Sequence, residues 1–250
     1  DANSPAHPTG RGELRLQWGT CLAMSGRDPT EKFRAAADDY GRALELNPRS
    51  ADAWMKRGTL NMNLAVWRER QGGDPREGYE AALADCTKAT EFDPSSAAAR
   101  RLRGTLLGNL AFRTVAEGGD ASESFAAAEA EFGKGLAIDA AAPEGWLGRV
   151  DVRLRWADHV EGRGRAEEAT KLRFSARDDL DALLGRTPER AEALAERARV
   201  RHALADWAGA AADLEAALAK NPALAGRLPV TGEEVASARQ LAEKAGVGSE

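Results

Sequence analysis

Residues 53–94 read AWMKRGTLNMNLAVWRERQGGDPREGYEAALADCTKATEFDP, and this stretch decides the fold because the chain repeats it. Arg57-Gly58-Thr59-Leu60 and Asn63-Leu64-Ala65 return forty-six residues later as Arg103-Gly104-Thr105-Leu106 and Asn109-Leu110-Ala111. Gly72-Gly73-Asp74 returns at the same offset as Gly118-Gly119-Asp120. The closing Phe92-Asp93-Pro94 has counterparts in Leu46-Asn47-Pro48 before it and Ile138-Asp139-Ala140 after it. Self-similarity at a fixed period of a few tens of residues marks a solenoid, in which each unit buries its apolar face only against its neighbours.

The unit is a helix hairpin. Apolar residues recur at helical spacing on both sides of Gly72-Gly73-Asp74, where glycine stops one helix and aspartate caps the next. The same start appears as Asp28-Pro29-Thr30-Glu31, Asp74-Pro75-Arg76-Glu77 and Asp120-Ala121-Ser122-Glu123. Each puts an acid three residues after the cap, as a capping box does, and an aromatic (Phe33, Tyr79, Phe125) two residues beyond that acid. Ahead of this run, a helix bearing Leu14, Leu16, Trp18, Cys21 and Leu22 stops near Ser25-Gly26. A fourth unit opens at Pro143-Glu144-Gly145-Trp146 and turns over Glu161–Arg165 without the Asp cap; a fifth, compact unit ends at Asn221-Pro222.

The 250 residues are dominated by alanine, leucine, glutamate and arginine, a helix-forming composition. A net charge of −5 argues against a general nucleic-acid binder. No stretch approaches the roughly 20 apolar residues of a membrane span. Cys21 and Cys86 lie on different helices without metal-ligand spacing and read as buried small apolar residues, which favours a reducing, intracellular compartment. Residues 1–11 lack a starting Met and an apolar signal core and read as a flexible leader, so the chain reads as a piece of something longer.

These units resemble tetratricopeptide repeats. The family pattern of small and aromatic columns closed by proline is carried by Trp54, Gly58, Ala82, Cys86, Ala89 and Pro94 in the second unit. Gly104, Ala128, Phe132, Gly135 and Ala140 carry it in the third, Gly19, Ala36, Tyr40, Ala43 and Pro48 in the first, and Ala198, Ala210, Leu214, Ala217 and Pro222 in the fifth. The resemblance implies an all-α, right-handed superhelical solenoid of five hairpins, at about 12–48, 51–94, 97–140, 143–188 and 191–222. A capping helix opened by Thr231-Gly232-Glu233-Glu234 would follow over 230–250. Two departures stand out. The second to fourth units run about a dozen residues longer between their small columns than the fifth, and the residue before the glycine is arginine: Arg57, Arg103, Arg149, Arg197.

The resemblance also implies a concave groove lined by first helices. Projected onto this sequence, its partner-binding residues are Met55, Thr59, Met62 and Asn63, then Arg101, Thr105 and Asn109, then Leu147, Asp151 and Arg155, and finally Arg199. The first helices carry net positive charge and the second helices net negative charge. A groove of this kind suits an acidic peptide or a C-terminal carboxylate held by arginine. The recurring arginine column has another reading, in which it pairs with acids on neighbouring second helices.

Catalysis finds little support. His7, His159 and His202 have no partner at metal or triad spacing, and the Gly-Gly-Asp turns lack the strand and lysine of a phosphate loop. The expectation is a protein-interaction module without cofactor or metal. Self-association through Trp67, Phe112 and Trp156, as a homodimer, is the second reading, and an enzyme or small-molecule sensor the third.

Overall fold

The computed structural model describes residues 7–226. Among them are ten α-helices, a closing 3-10 turn and no strand. The chain divides into two compact units, residues 1–139 and 140–250. The first holds three hairpins: α1 (Pro8–Met24) with α2 (Thr30–Leu46), α3 (Ala51–Arg70) with α4 (Arg76–Phe92), and α5 (Ala97–Ala116) with α6 (Ser122–Ile138). The second holds two: α7 (Pro143–Glu161) with α8 (Ala166–Arg186), and α9 (Ala191–Ala203) with α10 (Trp207–Lys220). Within each unit the second helix of one hairpin also packs on the first helix of the next, as α2 does on α3 and α8 on α9.

All five tips close by one device. A residue two or, in the fourth hairpin, three beyond the first helix adopts a positive φ, and its own amide and the next satisfy helix carbonyls that would otherwise be orphaned. At the second tip, Gly72 (φ 79°) donates its N–H to Glu69 O and Gly73 donates to Arg68 O, both at 2.9 Å. Gly26, Gly118 and Gly164 do the same in their hairpins, and Ala205 (φ 61°) does so in the fifth.

Aspartate then starts the second helix, with Asp28, Asp74 and Asp120 accepting the N–H two residues on at 2.9, 3.0 and 3.0 Å. The reciprocal arm differs from the capping-box expectation, since Glu31 turns instead to Lys32 Nζ at 3.5 Å.

Small residues let the two helices touch. A Cβ added at Gly58 would meet Cys86 Sγ at 2.7 Å, and at Gly104 the Phe132 ring at 2.8 Å. The first hairpin corrects the register read from its sequence. Gly12, forty-six residues before Gly58, lies 2.9 Å by the same measure from Tyr40, so Gly12 occupies the glycine column. Gly19 belongs nearer the tip, where it faces Phe33 as Ala65 faces Tyr79. The first hairpin is therefore as long as the second and third. Residues 8–11, assigned to the leader, are the first turn of α1, and His7 Nδ1 accepts Thr9 N–H at 3.3 Å.

Position in the stack decides what is buried. Leu60 is buried against α2, while its counterpart Leu14 on α1, with no described hairpin before it, is 53% exposed. Cys21 is exposed, contrary to expectation, whereas Cys86 is buried and its thiol is pushed up to about 12 by burial, Asp85 adding to the effect. The expected capping helix at 230–250 lies outside the described residues.

Candidate functional site

Each second helix carries one buried carboxylate three residues after its small column: Asp39, Asp85, Glu131, Asp179 and Asp213. An unpaired charge at such a position would cost several kcal/mol of desolvation. The arginine column supplies the partner. Arg57 donates through Nε and Nη2 to Asp85 at 2.8 and 2.6 Å, Arg149 to Asp179 at 2.8 and 2.6 Å, and Arg197 to Asp213 at 2.8 and 2.6 Å. One turn further along each first helix, a second donor completes the carboxylate: Asn61 at 3.0 Å, Arg153 at 2.7 Å and Arg201 at 3.0 Å. Planar guanidinium forks suit this bidentate role. Hydrogen bonding to Asp213, reinforced by Asp181, raises the Arg197 pKa above the ordinary guanidinium value.

The first hairpin has the same pair in Arg11 and Arg15, which donate to Asp39 at 2.6 and 2.5 Å. Sequence reasoning missed both, although counting back forty-six residues from Arg57-Gly58 lands on Arg11-Gly12. The third hairpin departs from the set. Glutamate replaces aspartate, so the longer Glu131 side chain takes Arg100 at 3.3 Å and Lys134 at 2.8 Å, while Arg103 stands at 3.4 Å. Burial pushes Glu131 up, but these three cations outweigh it and hold its carboxyl below the usual range. The arginine column is thus neutralised inside the hairpins.

The structure sorts the other residues projected onto the groove. Thr59 and Thr105 turn their hydroxyls back onto their own helices, donating to Met55 O and Arg101 O at 3.1 Å each. Met62 and Leu147 are partly buried against apolar clusters, which accounts for both as core-edge residues. Asp151 accepts from Arg155 at 2.9 Å on the same helix, and Arg199 donates to Glu196 at 2.7 Å. Asn63 donates to Thr20 Oγ1 at 3.1 Å, tying α3 to α1. Beside this bond, Met24, Val66, Trp67 and Arg70 frame a small depression of about 110 Å³.

Two first-helix arginines, Arg70 and Arg101, have no acid partner among the described residues. Arg101 is half-buried and shares its helix with the half-buried Asn109. The aromatic residues suggested for self-association differ in exposure: Trp67 and Trp156 are half-buried and Phe112 is 49% exposed. Among the described residues there is no cluster of three His, Cys, Asp or Glu that could hold a metal, and no helix is long and apolar enough to cross a membrane.

No family model and no curated protein matches this sequence. Solved structures do match the fold. PilW, a type IV pilus biogenesis factor, is 20% identical with a TM-score of 0.59, covering 94% of this chain and 88% of that one. The tetratricopeptide-repeat protein TTC0263 of Thermus thermophilus is 17% identical with a TM-score of 0.55, covering 92% and 99%. MamA is 14% identical with a TM-score of 0.51, covering 83% and 96%.

Proposed function

From a chain with the tetratricopeptide-repeat fold, we propose a non-catalytic protein-interaction module that holds a partner's acidic peptide against the first-helix side of α3 and α5. The observation that carries this reading is Arg101. Every recurring column arginine is already committed to a buried acid, whereas Arg101 is half-buried, charged and unmatched among the described residues. A half-buried guanidinium short of a counter-ion among the described residues is a ready contact for a carboxylate, from a side chain or a C-terminus. Asn109, two turns along the same face, offers a neutral donor and acceptor to an extended backbone, and Met55 supplies an adaptable apolar contact.

Arg155 and Arg199 contribute less here, because each has an intrahelical acid that a ligand would have to displace. The test is titration of acidic peptides, with free and amidated C-termini, against wild type, Arg101→Glu and Arg155→Glu. Arg101→Glu should weaken binding at least tenfold with unchanged helical circular dichroism, and Arg155→Glu should weaken it less. Equal affinity of wild type and Arg101→Glu would remove the reading.

A further inference from the structure

The junctions between the first and second hairpins and between the second and third are related by the forty-six-residue offset, so each position in one has a counterpart in the other. The second junction is locked by ions. Arg76 on α4 donates to both Glu117 carboxylate oxygens at 2.7 Å, and Arg113 on α5 stands 3.7 Å from Glu69 and 3.8 Å from Asp74. At the first junction the counterparts of Arg76, Glu117, Arg113 and Glu69 are Thr30, Gln71, Trp67 and Ala23, a set that holds no ion pair.

A cleft of about 540 Å³ opens there between α2 and α3, with Phe33, Leu60, Leu64 and Trp67 in its walls. That volume lies in the range of ligand pockets, roughly 300–1,000 Å³. Its charges also differ from the neighbouring junction. Arg34 stands where the other junction has Glu80, and Arg68 where it has Thr114. Arg34 has no acid partner among the described residues, and Arg68 reaches the exposed Glu77 only at 3.8 Å. The lining acid, Asp74, is already occupied by the Arg76 amide and by Arg113.

We propose that this cleft is a second peptide site, distinct from the Arg101 face, which takes an aromatic or aliphatic side chain flanked by carboxylates from a partner protein. The apolar side chain fills the slot beside Trp67, and Arg34 and Arg68 receive the flanking acids. The charge and apolar content of the lining select this occupant over a basic or purely polar segment.

The probe is a fluorescein-labelled, C-terminally amidated Glu-Phe-Leu-Glu peptide, read by anisotropy, with Lys-Phe-Leu-Lys and Glu-Ser-Ser-Glu as comparisons. Wild type should bind the first saturably and each comparison at least tenfold more weakly. Arg34→Glu combined with Arg68→Glu, both on exposed positions, should cost at least tenfold without affecting folding. Thr30→Arg, Trp67→Arg and Gln71→Glu together transplant the ionic lock, with Asp28 already standing where Asp74 does. This variant should abolish binding while its thermal midpoint holds or rises. Arg101→Glu should leave the probe's affinity unchanged, which separates this site from the Arg101 face. No saturable binding of the acidic probe, equal binding of the acidic and basic probes, or full binding by the double charge variant would overturn the proposal.

Discussion

The second and fifth hairpins share one base and differ in how far they extend beyond it. From Gly58 to Ala82 is 24 residues, and from the corresponding Ala198 to Ala210 is 12. Both first helices begin seven residues before that small column, and both second helices end ten residues after theirs. All the added length is at the tip: α3 has 20 residues against 13 in α9, α4 has 17 against 14 in α10, and the turn gains the rest. The buried ion pair is unaffected, with Arg57–Asp85 and Arg197–Asp213 making the same two bonds at 2.8 and 2.6 Å. The base therefore holds the hairpin together. The extension supplies most of the surface that lines the α2/α3 cleft, including Leu64, Trp67, Arg68 and Gln71.

If the base does this in both hairpins, removing its acid should be costly in both. Asp85→Ala strands Arg57 beside Asn61, whereas Asp213→Ala leaves Arg197 with Asp181 at 2.7 Å and Arg201 with Asp206 at 3.5 Å. Breaking a buried pair by deleting one partner costs about 3–5 kcal/mol. Urea unfolding should show a loss of that size for Asp85→Ala and a somewhat smaller one for Asp213→Ala, whose two cations keep Asp181 and Asp206. A much smaller loss for Asp85→Ala would break the comparison, since the longer helices would then carry the second hairpin without their base.

The third hairpin sharpens the point by changing the base and keeping the tip. The folded-state pKa of Glu131 is lowered, so it stabilises the fold above its ordinary value of 4.5 and that contribution is lost as pH falls through the lowered value. Glu131→Gln should cost about 1.5–3 kcal/mol near neutral pH, the worth of a hydrogen bond to a charged group. The gap to wild type should narrow below the ordinary glutamate range and close at still lower pH. A gap that stays constant from neutral pH down through that range would mean that size and shape, rather than charge, make Glu131 matter.

Much of this architecture was legible because its signals are local. Gly72, Gly118 and the aspartates after them specify the tips through backbone conformation and capping, which need no knowledge of distant residues. The arginine column was visible as a repeat, yet its commitment to Asp85, Asp179 and Asp213 is a contact across 16 to 30 residues that only the folded hairpin shows. Gly12 was passed over because α1 lacks the Trp54-like aromatic and offers Gly19 as a competing small residue, and both glycines do face aromatic rings. The groove residues were the least legible. Whether an arginine is available to a ligand depends on which acids stand nearby, and that separates Arg101 from Arg155 and Arg199 despite their similar placement in sequence.

The smallest difference between the long and short hairpins lies in one turn position, and its effect should reverse sign between them. Gly72 and Ala205 close equivalent tips with φ of 79° and 61°, and the flanking amides bond in the same pattern. Glycine meets no steric penalty there, whereas a Cβ costs about 1–2 kcal/mol in the left-handed region. Nothing lies within 4 Å of a Cβ built on Gly72, and Ala205 is exposed, so backbone strain is the main term at both. Part of the gain from glycine is returned as extra freedom in the unfolded chain. Ala205→Gly should thus stabilise the fifth hairpin by about 0.5–1 kcal/mol, and Gly72→Ala should destabilise the second by a similar amount. Amide exchange at the two tips resolves changes this small and reports each hairpin separately. Matching magnitudes of opposite sign would show that the extension leaves the turn itself unchanged; two effects of the same sign would show that the longer helices have altered what their turn must do.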